Sequence, residues 1–214
     1  MKNKQKHIAL ISAVLLGIAQ HYSFLGFIVW FSLIPFLYLI HTLNSYKEII
    51  KYTFLWGVLY HFTTIFWLSS NVGTDRISAI ASMIATILYL STNTILIGVV
   101  WYRLKSFFPK YSIFLLAIVW TSIEFIKSYG LLAFPWVSIA NTQIDYFYLI
   151  QIVEYTGIYG ITFWLLVLNG YGYYCLKTKF SYRKIFRYTL IIVTPFILGF
   201  ICLITSEEFQ EDYQ

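Results

Sequence analysis

The sequence predicts an all-α membrane protein that crosses the bilayer about seven times. Hydrophobic residues make up 59% of the 214 residues and charged residues only 11%, which exceeds what a soluble domain of this length needs for its core. Several apolar runs approach the roughly 20 residues that a helix needs to cross about 30 Å of hydrocarbon. Tyrosine and tryptophan cluster toward the predicted helix ends, as interfacial belts do. These observations indicate a single polytopic membrane domain.

Seven apolar segments can be drawn along the chain. They cover residues 8–22, 27–43, 52–70, 77–102, 112–128, 155–176 and 188–205. The first is short and follows Lys2, Lys4 and Lys6, which resembles a signal peptide. Because no small-x-small cleavage site is evident at residues 20–23, we expect an uncleaved first helix. The expected organisation is a membrane domain over residues 1–205 and a short acidic tail over residues 206–214.

The positions of the basic residues predict the orientation. The N-terminus and the second, fourth and sixth loops carry 13 of the 15 lysines and arginines: Lys2, Lys4, Lys6, Lys47, Lys51, Arg103, Lys105, Lys110, Lys177, Lys179, Arg183, Lys184 and Arg187. Only Arg76 and Lys127 fall on the other side, together with the acidic tail. The positive-inside rule therefore predicts a cytoplasmic N-terminus and a periplasmic C-terminus. A net charge of +6 distributed in this way argues against nucleic-acid binding.

The stretch between the fifth and sixth segments is irregular. It mixes Gly130, Pro135, Asn141 and Asp145 with large apolar residues, so it is a poor helix and too hydrophobic for a free loop. We expect a half-inserted element on the outer face. Non-helical backbone at that depth is tolerated only where it is buried in protein or lines a wet cavity, which predicts the wall of a site.

Glu124 and Lys127 are the charged residues closest to that element in the fifth segment. An ionisable side chain at membrane depth costs at least about 2.5 to 3.5 kcal/mol, so Glu124 needs a partner, water or a function. The i, i+3 spacing allows an ion pair between the two. The alternative is that this face orders a lipid headgroup or an adjoining soluble domain.

The sequence Phe134-Pro135-Trp136 predicts a turn, because proline sets its own backbone angle and restricts the residue before it. Its two aromatic side chains are suited to anchoring the turn in the headgroup layer or to contacting a substrate acyl chain. Both interpretations remain open from the sequence.

The candidates for catalytic chemistry are few. Cys175 and Cys202 lie far apart in apolar segments, where a small packing residue is the ordinary interpretation. An acyl-transfer nucleophile needs a positioned base, so we assign no catalytic residue. The histidines lack the HxxxH and HExxH spacings, and we predict neither a metal site nor a cofactor.

Several short motifs together resemble the N-terminal membrane region of the apolipoprotein N-acyltransferase family. The motif residues, in order, are Pro35, Gly57, Phe66, Trp67, Trp120, Glu124, Phe125, Ile126, Lys127, Phe134, Pro135, Trp136, Gln143, Gly157, Gly160, Phe163 and Asn169. The likeness covers nearly the whole chain. Lys127 departs from it, because the family more often has arginine there, and lysine lacks the bidentate donor geometry of arginine.

The resemblance implies a multi-pass protein of the bacterial inner membrane that takes part in lipoprotein maturation. The family moves an acyl chain from a phospholipid onto the amino group of a diacylglyceryl-cysteine, using a Glu-Lys-Cys triad in a nitrilase-like domain after the seventh helix. That domain is expected to be absent from this chain, which ends at Gln214, so we expect inactivity alone. The sequence leaves open whether the chain is a fragment of a longer gene or has a separately encoded nitrilase-like partner. The expected residues for phospholipid and lipoprotein binding are Glu124, Lys127, Phe134, Pro135, Trp136, Gln143, Trp67 and Asn169.

Two alternatives remain from the sequence. The chain is either this membrane domain or a non-catalytic relative that binds lipid or lipoprotein and serves as an assembly partner. A small transporter is less favoured, because repeat symmetry and paired broken helices with midplane charges are not evident in the sequence.

Overall fold

The computed structural model describes residues 2–179 and 181–211, and all regular structure within them is helical. The α-helices are α1 (Lys2–Ala19), α2 (Val29–Ser32), α3 (Ile34–Thr42), α4 (Tyr46–Ile65), α5 (Arg76–Phe107), α6 (Ser112–Lys127), α7 (Phe147–Ile150), α8 (Val153–Lys177) and α9 (Tyr182–Glu211). Short 3-10 helices cover Ser23–Ile28, Phe66–Ser70, Pro109–Tyr111, Pro135–Val137 and Ile139–Gln143. The predicted all-α class is confirmed.

Four stretches are long and apolar enough to cross a membrane: Phe24–Thr42, Arg76–Phe107, Pro109–Lys127 and Tyr182–Thr205. His7–Ala19 is a shorter apolar helix. Each of the seven predicted segments coincides with helix, but the count of seven crossings stays a prediction. The side chains of the N-terminal lysines (Lys2, Lys4, Lys6) and of the acidic tail (206–214) lie outside the described residues.

The core is built around aromatic side chains of α3, α4 and α6, against which α1 packs. Trp56 is fully buried, its Nε1 donates to Ser12 Oγ at 3.1 Å, and its ring lies 4.6 Å from that of Phe36. Trp120 of α6 meets both rings edge-on. α1, with Ala9 and Ala13 fully buried, is thus an integral part of the packing.

The α4–α5 pair packs closely because small residues face each other across it. A Cβ on Gly57 would collide with Thr94, and a Cβ on Gly98 would collide with Thr53. Thr94 Oγ1 donates across the same interface to the Thr53 carbonyl at 3.0 Å. Small residues and hydroxyl groups are the usual means of joining helices in a membrane.

The second apolar segment is broken into a 3-10 helix, α2 and α3. Pro35 lies in the first turn of α3, where its missing N–H costs nothing. The break leaves backbone groups that a buried side chain of α8 satisfies: Asn169 Oδ1 accepts from Leu33 N at 2.9 Å, and its Nδ2 donates to the Val29 carbonyl at 2.7 Å. Asn169 therefore holds the broken segment together.

The chain between α6 and α8 folds back into the helices. Ile139, Ala140, Thr142 and Gln143 in this stretch are buried. Gln143 Nε2 donates to the Gly26 carbonyl at 2.9 Å, which joins this stretch to the start of the broken second segment. The later part of the stretch, residues 137–143, is thus largely covered by protein, whereas Leu131 and Leu132 before it are exposed.

α8 and α9 complete the bundle. α8 carries a kink at Gly157, whose φ of 62° lies in the region that favours glycine. α9 is peripheral. Only 11% of its most apolar 18-residue stretch is buried, so most of its apolar surface faces outward.

Candidate functional site

A cavity of about 40 Å³ lies where α4, α5, α6 and α8 meet the irregular stretch after α6. By this measure a water molecule needs about 10 to 15 Å³, so there is room for about three of them. Four of the predicted site residues line it: Glu124, Lys127, Phe134 and Pro135. The structure therefore brings the two charged residues and the start of the aromatic turn to one place.

Glu124 is held by donors from three parts of the fold. Trp120 Nε1, one turn earlier in α6, donates to Oε1 at 3.1 Å. Ser138 Oγ and Thr162 Oγ1 donate to Oε2 at 3.0 and 2.8 Å. Hydrogen bonds from three donors satisfy a carboxylate inside an apolar bundle.

Lys127 lines the same cavity but is not bonded to Glu124. Among the described residues, its ammonium group has neither a hydrogen bond nor an ion pair. The contact ion pair allowed by the i, i+3 spacing does not form, although the two charges lie close enough to attract each other. A lysine without a partner beside a small polar cavity can accept an anionic or water ligand.

Two residues of the aromatic turn, Phe134 and Pro135, line this cavity. Pro135 begins a 3-10 helix, and Asn141 Nδ2 donates to the Trp136 carbonyl at 3.1 Å. Trp136 points outward with 66% of its surface exposed, and its ring lies 6.3 Å from that of Trp67. The two tryptophans form an exposed aromatic pair next to the cavity rather than a part of its wall.

The last two predicted site residues, Gln143 and Asn169, hydrogen-bond to the backbone of the fold. Gln143 and Asn169 are fully buried. Trp30 Nε1 donates to Gln143 Oε1 at 2.9 Å, and the amide nitrogens of both residues bind backbone carbonyls of the broken second segment. Both residues stabilise the fold through these hydrogen bonds, and neither lines the cavity that contains Lys127.

Sequence reasoning missed several residues that complete the site. Tyr60 donates to the Val137 carbonyl at 2.8 Å and accepts from Gln20 Nε2 at 2.9 Å, which ties α1 and α4 to the turn. Ser138 and Thr162, which hold Glu124, were also missed. A hydroxyl residue isolated in an apolar run, as Thr162 is, could have indicated a partner for Glu124. The sequence does not distinguish such a residue from one that bonds its own helix, as Thr64 does.

The cysteines show no arrangement for nucleophilic chemistry. Cys175 and Cys202 are both free thiols. Lys177 follows Cys175 by two residues, but its Nζ lies 4.4 Å above the ring of Tyr38. Within the described residues, groups of three or more potential metal-binding side chains are also absent.

The comparison with known protein families adds to this geometry. The family model described as the apolipoprotein N-acyltransferase N-terminal domain matches residues 12–171. The chain belongs to this family. All eight predicted site residues and every residue that binds Glu124 fall within the matched range, so the cavity is part of the shared domain.

Individual relatives agree with the family assignment. The chain is 28% identical to the apolipoprotein N-acyltransferase of Wigglesworthia glossinidia brevipalpis over 87% of its length and 39% of the relative's. It is 28% identical to that of Borreliella burgdorferi, over 84% of this chain and 33% of the relative. Apolipoprotein N-acyltransferase 1 of Treponema denticola is 26% identical over 76% of this chain and 29% of the relative. The chain thus spans about a third of the length of these curated relatives.

Proposed function

We propose that this chain acts as the membrane domain of an apolipoprotein N-acyltransferase, where it holds the phospholipid acyl donor and the diacylglyceryl-lipoprotein. One observation carries the proposal: a lysine without a hydrogen bond and a carboxylate that accepts three share a small cavity, and the turn that lines it carries one of two exposed, neighbouring tryptophans. Family membership supports the same interpretation, since the matched domain contains every residue of this cavity.

In this proposal the chain crosses the bacterial inner membrane seven times, with the N-terminus in the cytoplasm and the C-terminus in the periplasm. The helices at all seven apolar segments and the distribution of lysine and arginine support this topology. The stretch between α6 and α8 then lies half-inserted at the periplasmic face. The cavity opens toward the leaflet in which lipoproteins are modified.

The two parts of the site have different roles in substrate binding. The cavity, at about 40 Å³, is large enough for water or a small polar group but not for an acyl chain. Lys127 therefore attracts the phosphate of the headgroup, as lysine does with its compact point charge. Trp67 and Trp136 contact the upper part of an acyl chain at the interface, where tryptophan is favoured.

Acyl transfer through a covalent intermediate needs an activated nucleophile next to a base. Among the described residues neither cysteine is hydrogen-bonded to a base: the lysine nearest in charge to Cys175, Lys184, donates to Thr178 and to the Lys179 carbonyl instead. We therefore place the chemistry on a nitrilase-like domain with a Glu-Lys-Cys triad. The same observation favours a second candidate, a non-catalytic relative that binds lipid or lipoprotein. The two candidates differ in whether a nitrilase-like partner restores acylation.

Reconstitution tests the site. We expect Glu124→Gln and Trp136→Ala to lower the rate of lipoprotein N-acylation at least tenfold in liposomes that also contain a nitrilase-like catalytic domain, while membrane insertion is unchanged. Glu154→Gln and Tyr155→Ala are matched controls, because both side chains are exposed at the start of α8. Rates equal to wild type in both site variants would refute the assignment.

A further inference from the structure

A second concave surface lies at the opposite end of the α6–α8 pair. It is a groove of about 250 Å³ between the first turns of α6 and the last turns of α8. Ile113 and Phe114 form one wall, and Val167 and Gly170 form the other. Gly170 keeps the helices close, since a Cβ there would collide with Ile113. The floor of the groove is therefore apolar and narrow.

One end of the groove is basic. Lys110 lines it, with its Nζ 5.5 Å from the centroid of the Tyr111 ring. Lys184 of α9 does not line the groove; its Nζ lies 5.4 Å from the ring of Tyr174 and donates to Thr178 Oγ1 and the Lys179 carbonyl, so it adds only a nearby positive charge. Among the described residues that line the groove there is no carboxylate to neutralise this charge.

A hydroxyl group among the residues that line the groove lacks a hydrogen bond. Tyr171 lines the groove, and its hydroxyl oxygen is buried without a partner in the described part of the chain. An unpaired buried hydroxyl is unfavourable, and a ligand oxygen would relieve that cost. The groove thus combines an apolar floor, a cationic end and an unused donor.

We propose that this groove binds one anionic phospholipid of the membrane, at a site separate from the Glu124 cavity. Its acyl chain lies along Phe114 and Val167, and its phosphate group lies at Lys110 and accepts a hydrogen bond from Tyr171. Charge complementarity and position favour this occupant, because basic pockets between membrane helices bind acidic headgroups. In the topology proposed above, this lipid belongs to the cytoplasmic leaflet.

Native mass spectrometry of the full chain in detergent tests the proposal. The probes are phosphatidylglycerol and phosphatidylcholine with identical acyl chains. We expect the wild-type protein to retain phosphatidylglycerol preferentially. Lys110→Gln is expected to weaken that retention about fivefold, the ordinary effect of one cationic side chain near a membrane surface. Lys51→Gln, an exposed lysine on the same face and outside the groove, is the matched control.

Val167→Trp fills the groove and leaves Lys110 in place, so we expect it to reduce phosphatidylglycerol retention as well. Its thermal unfolding midpoint shows whether the variant is folded. Glycerol phosphate should not displace the lipid, because it lacks the acyl chain.

Three results would overturn the proposal. The first is that Lys110→Gln and Lys51→Gln lose phosphatidylglycerol to the same extent. The others are that the wild-type protein retains the two lipids equally, or that glycerol phosphate displaces the bound lipid. A dimer that forms without lipid and disappears in Val167→Trp would assign the groove to a second copy of the chain instead. None of these results depends on acylation, so the proposed function is tested separately.

Discussion

The two ends of the α6–α8 pair present different surfaces built from the same two helices. At one end, Glu124 and Thr162 meet in a small cavity whose carboxylate is fully hydrogen-bonded. At the other end, Ile113 and Gly170 meet under an apolar groove of about six times that volume. The difference indicates that the first surface is suited to fixing the position of a polar group and the second to accommodating an acyl chain.

The contrast arises from how the polar groups are paired. At the Glu124 end, donors from α6, α8 and the irregular stretch converge on one acceptor, which holds these three elements in a fixed arrangement. At the groove end, the Tyr171 hydroxyl has no partner in the described chain. We therefore expect substitutions of Glu124 or of its donors to cost stability and substitutions at the second end to change lipid retention.

Among the variants, Glu124→Ala should lower the free energy of unfolding the most. It leaves Trp120, Ser138 and Thr162 without their acceptor, and at about 1 kcal/mol for each bond the free energy of unfolding falls by about 3 kcal/mol. Thermal unfolding in detergent measures the loss. Glu154→Ala, which removes an exposed carboxylate, should have a midpoint near that of wild type. Similar midpoints for the two variants would mean that the Glu124 network contributes little.

Asn169→Leu should have the next largest effect. Leucine is similar in size, but it leaves Leu33 N–H buried and unpaired, which costs about 2 kcal/mol. The same unfolding measurement applies, with the exposed Asn44→Leu as the control. An unchanged midpoint would show that the broken second segment is held by packing alone.

Lys127→Gln should lower acylation without changing stability, and so distinguishes a functional role of this side chain from a structural one. Lys127 has no hydrogen bond or ion pair among the described residues, so we expect the unfolding midpoint to remain within the measurement error. Lipoprotein N-acylation in the reconstituted pair should fall about tenfold, and Lys127→Arg should restore it. A large loss of stability would instead assign Lys127 a structural role.

The helices and the cluster of Glu124, Lys127, Phe134 and Pro135 could be predicted from the sequence. Apolar runs determine where helices form in a membrane, and a short distance along the chain brings these four residues together. The partners of Glu124 could not be predicted in the same way. Thr162 lies 38 residues away, and only the packing of α6 against α8 identifies it as the donor.

The hydrogen bonds of Gln143 and Asn169 could not be predicted from the sequence either. Both belong to the motifs of the family and were therefore predicted as binding residues. In the structure each amide satisfies backbone groups of the broken second segment. A buried amide that supports the fold and one that binds a ligand look the same in a sequence, because the difference depends on contacts more than 100 residues apart.

The smallest expected effect lies outside both ends, at the start of α5. Asp75 accepts hydrogen bonds from the backbone of Ile77 and Ser78, both at 3.0 Å, and the hydrogen bonds from Ser78 lower the pKa of its carboxyl group from the ordinary value of 3.8. Because the folded pKa is lowered, this stabilisation is present above the unfolded value and is lost as the pH falls through the folded one. Asp75→Asn should therefore be slightly less stable than wild type at pH 6, and the difference should shrink as the pH falls below 3.8. A difference that does not shrink on acidification would point to another cause.

Acylation in cells is the most direct test of the proposed function. The chain is expressed, alone or with a nitrilase-like catalytic domain, in a strain depleted of its own apolipoprotein N-acyltransferase. Mass spectrometry then determines how the N-terminus of a lipoprotein is acylated. We expect triacylated lipoprotein only when the catalytic domain is present, and less of it with Glu124→Gln. Triacylated product from the chain alone would contradict the assignment of the chemistry to another domain, and no product in either case would contradict the role as an acyltransferase membrane domain.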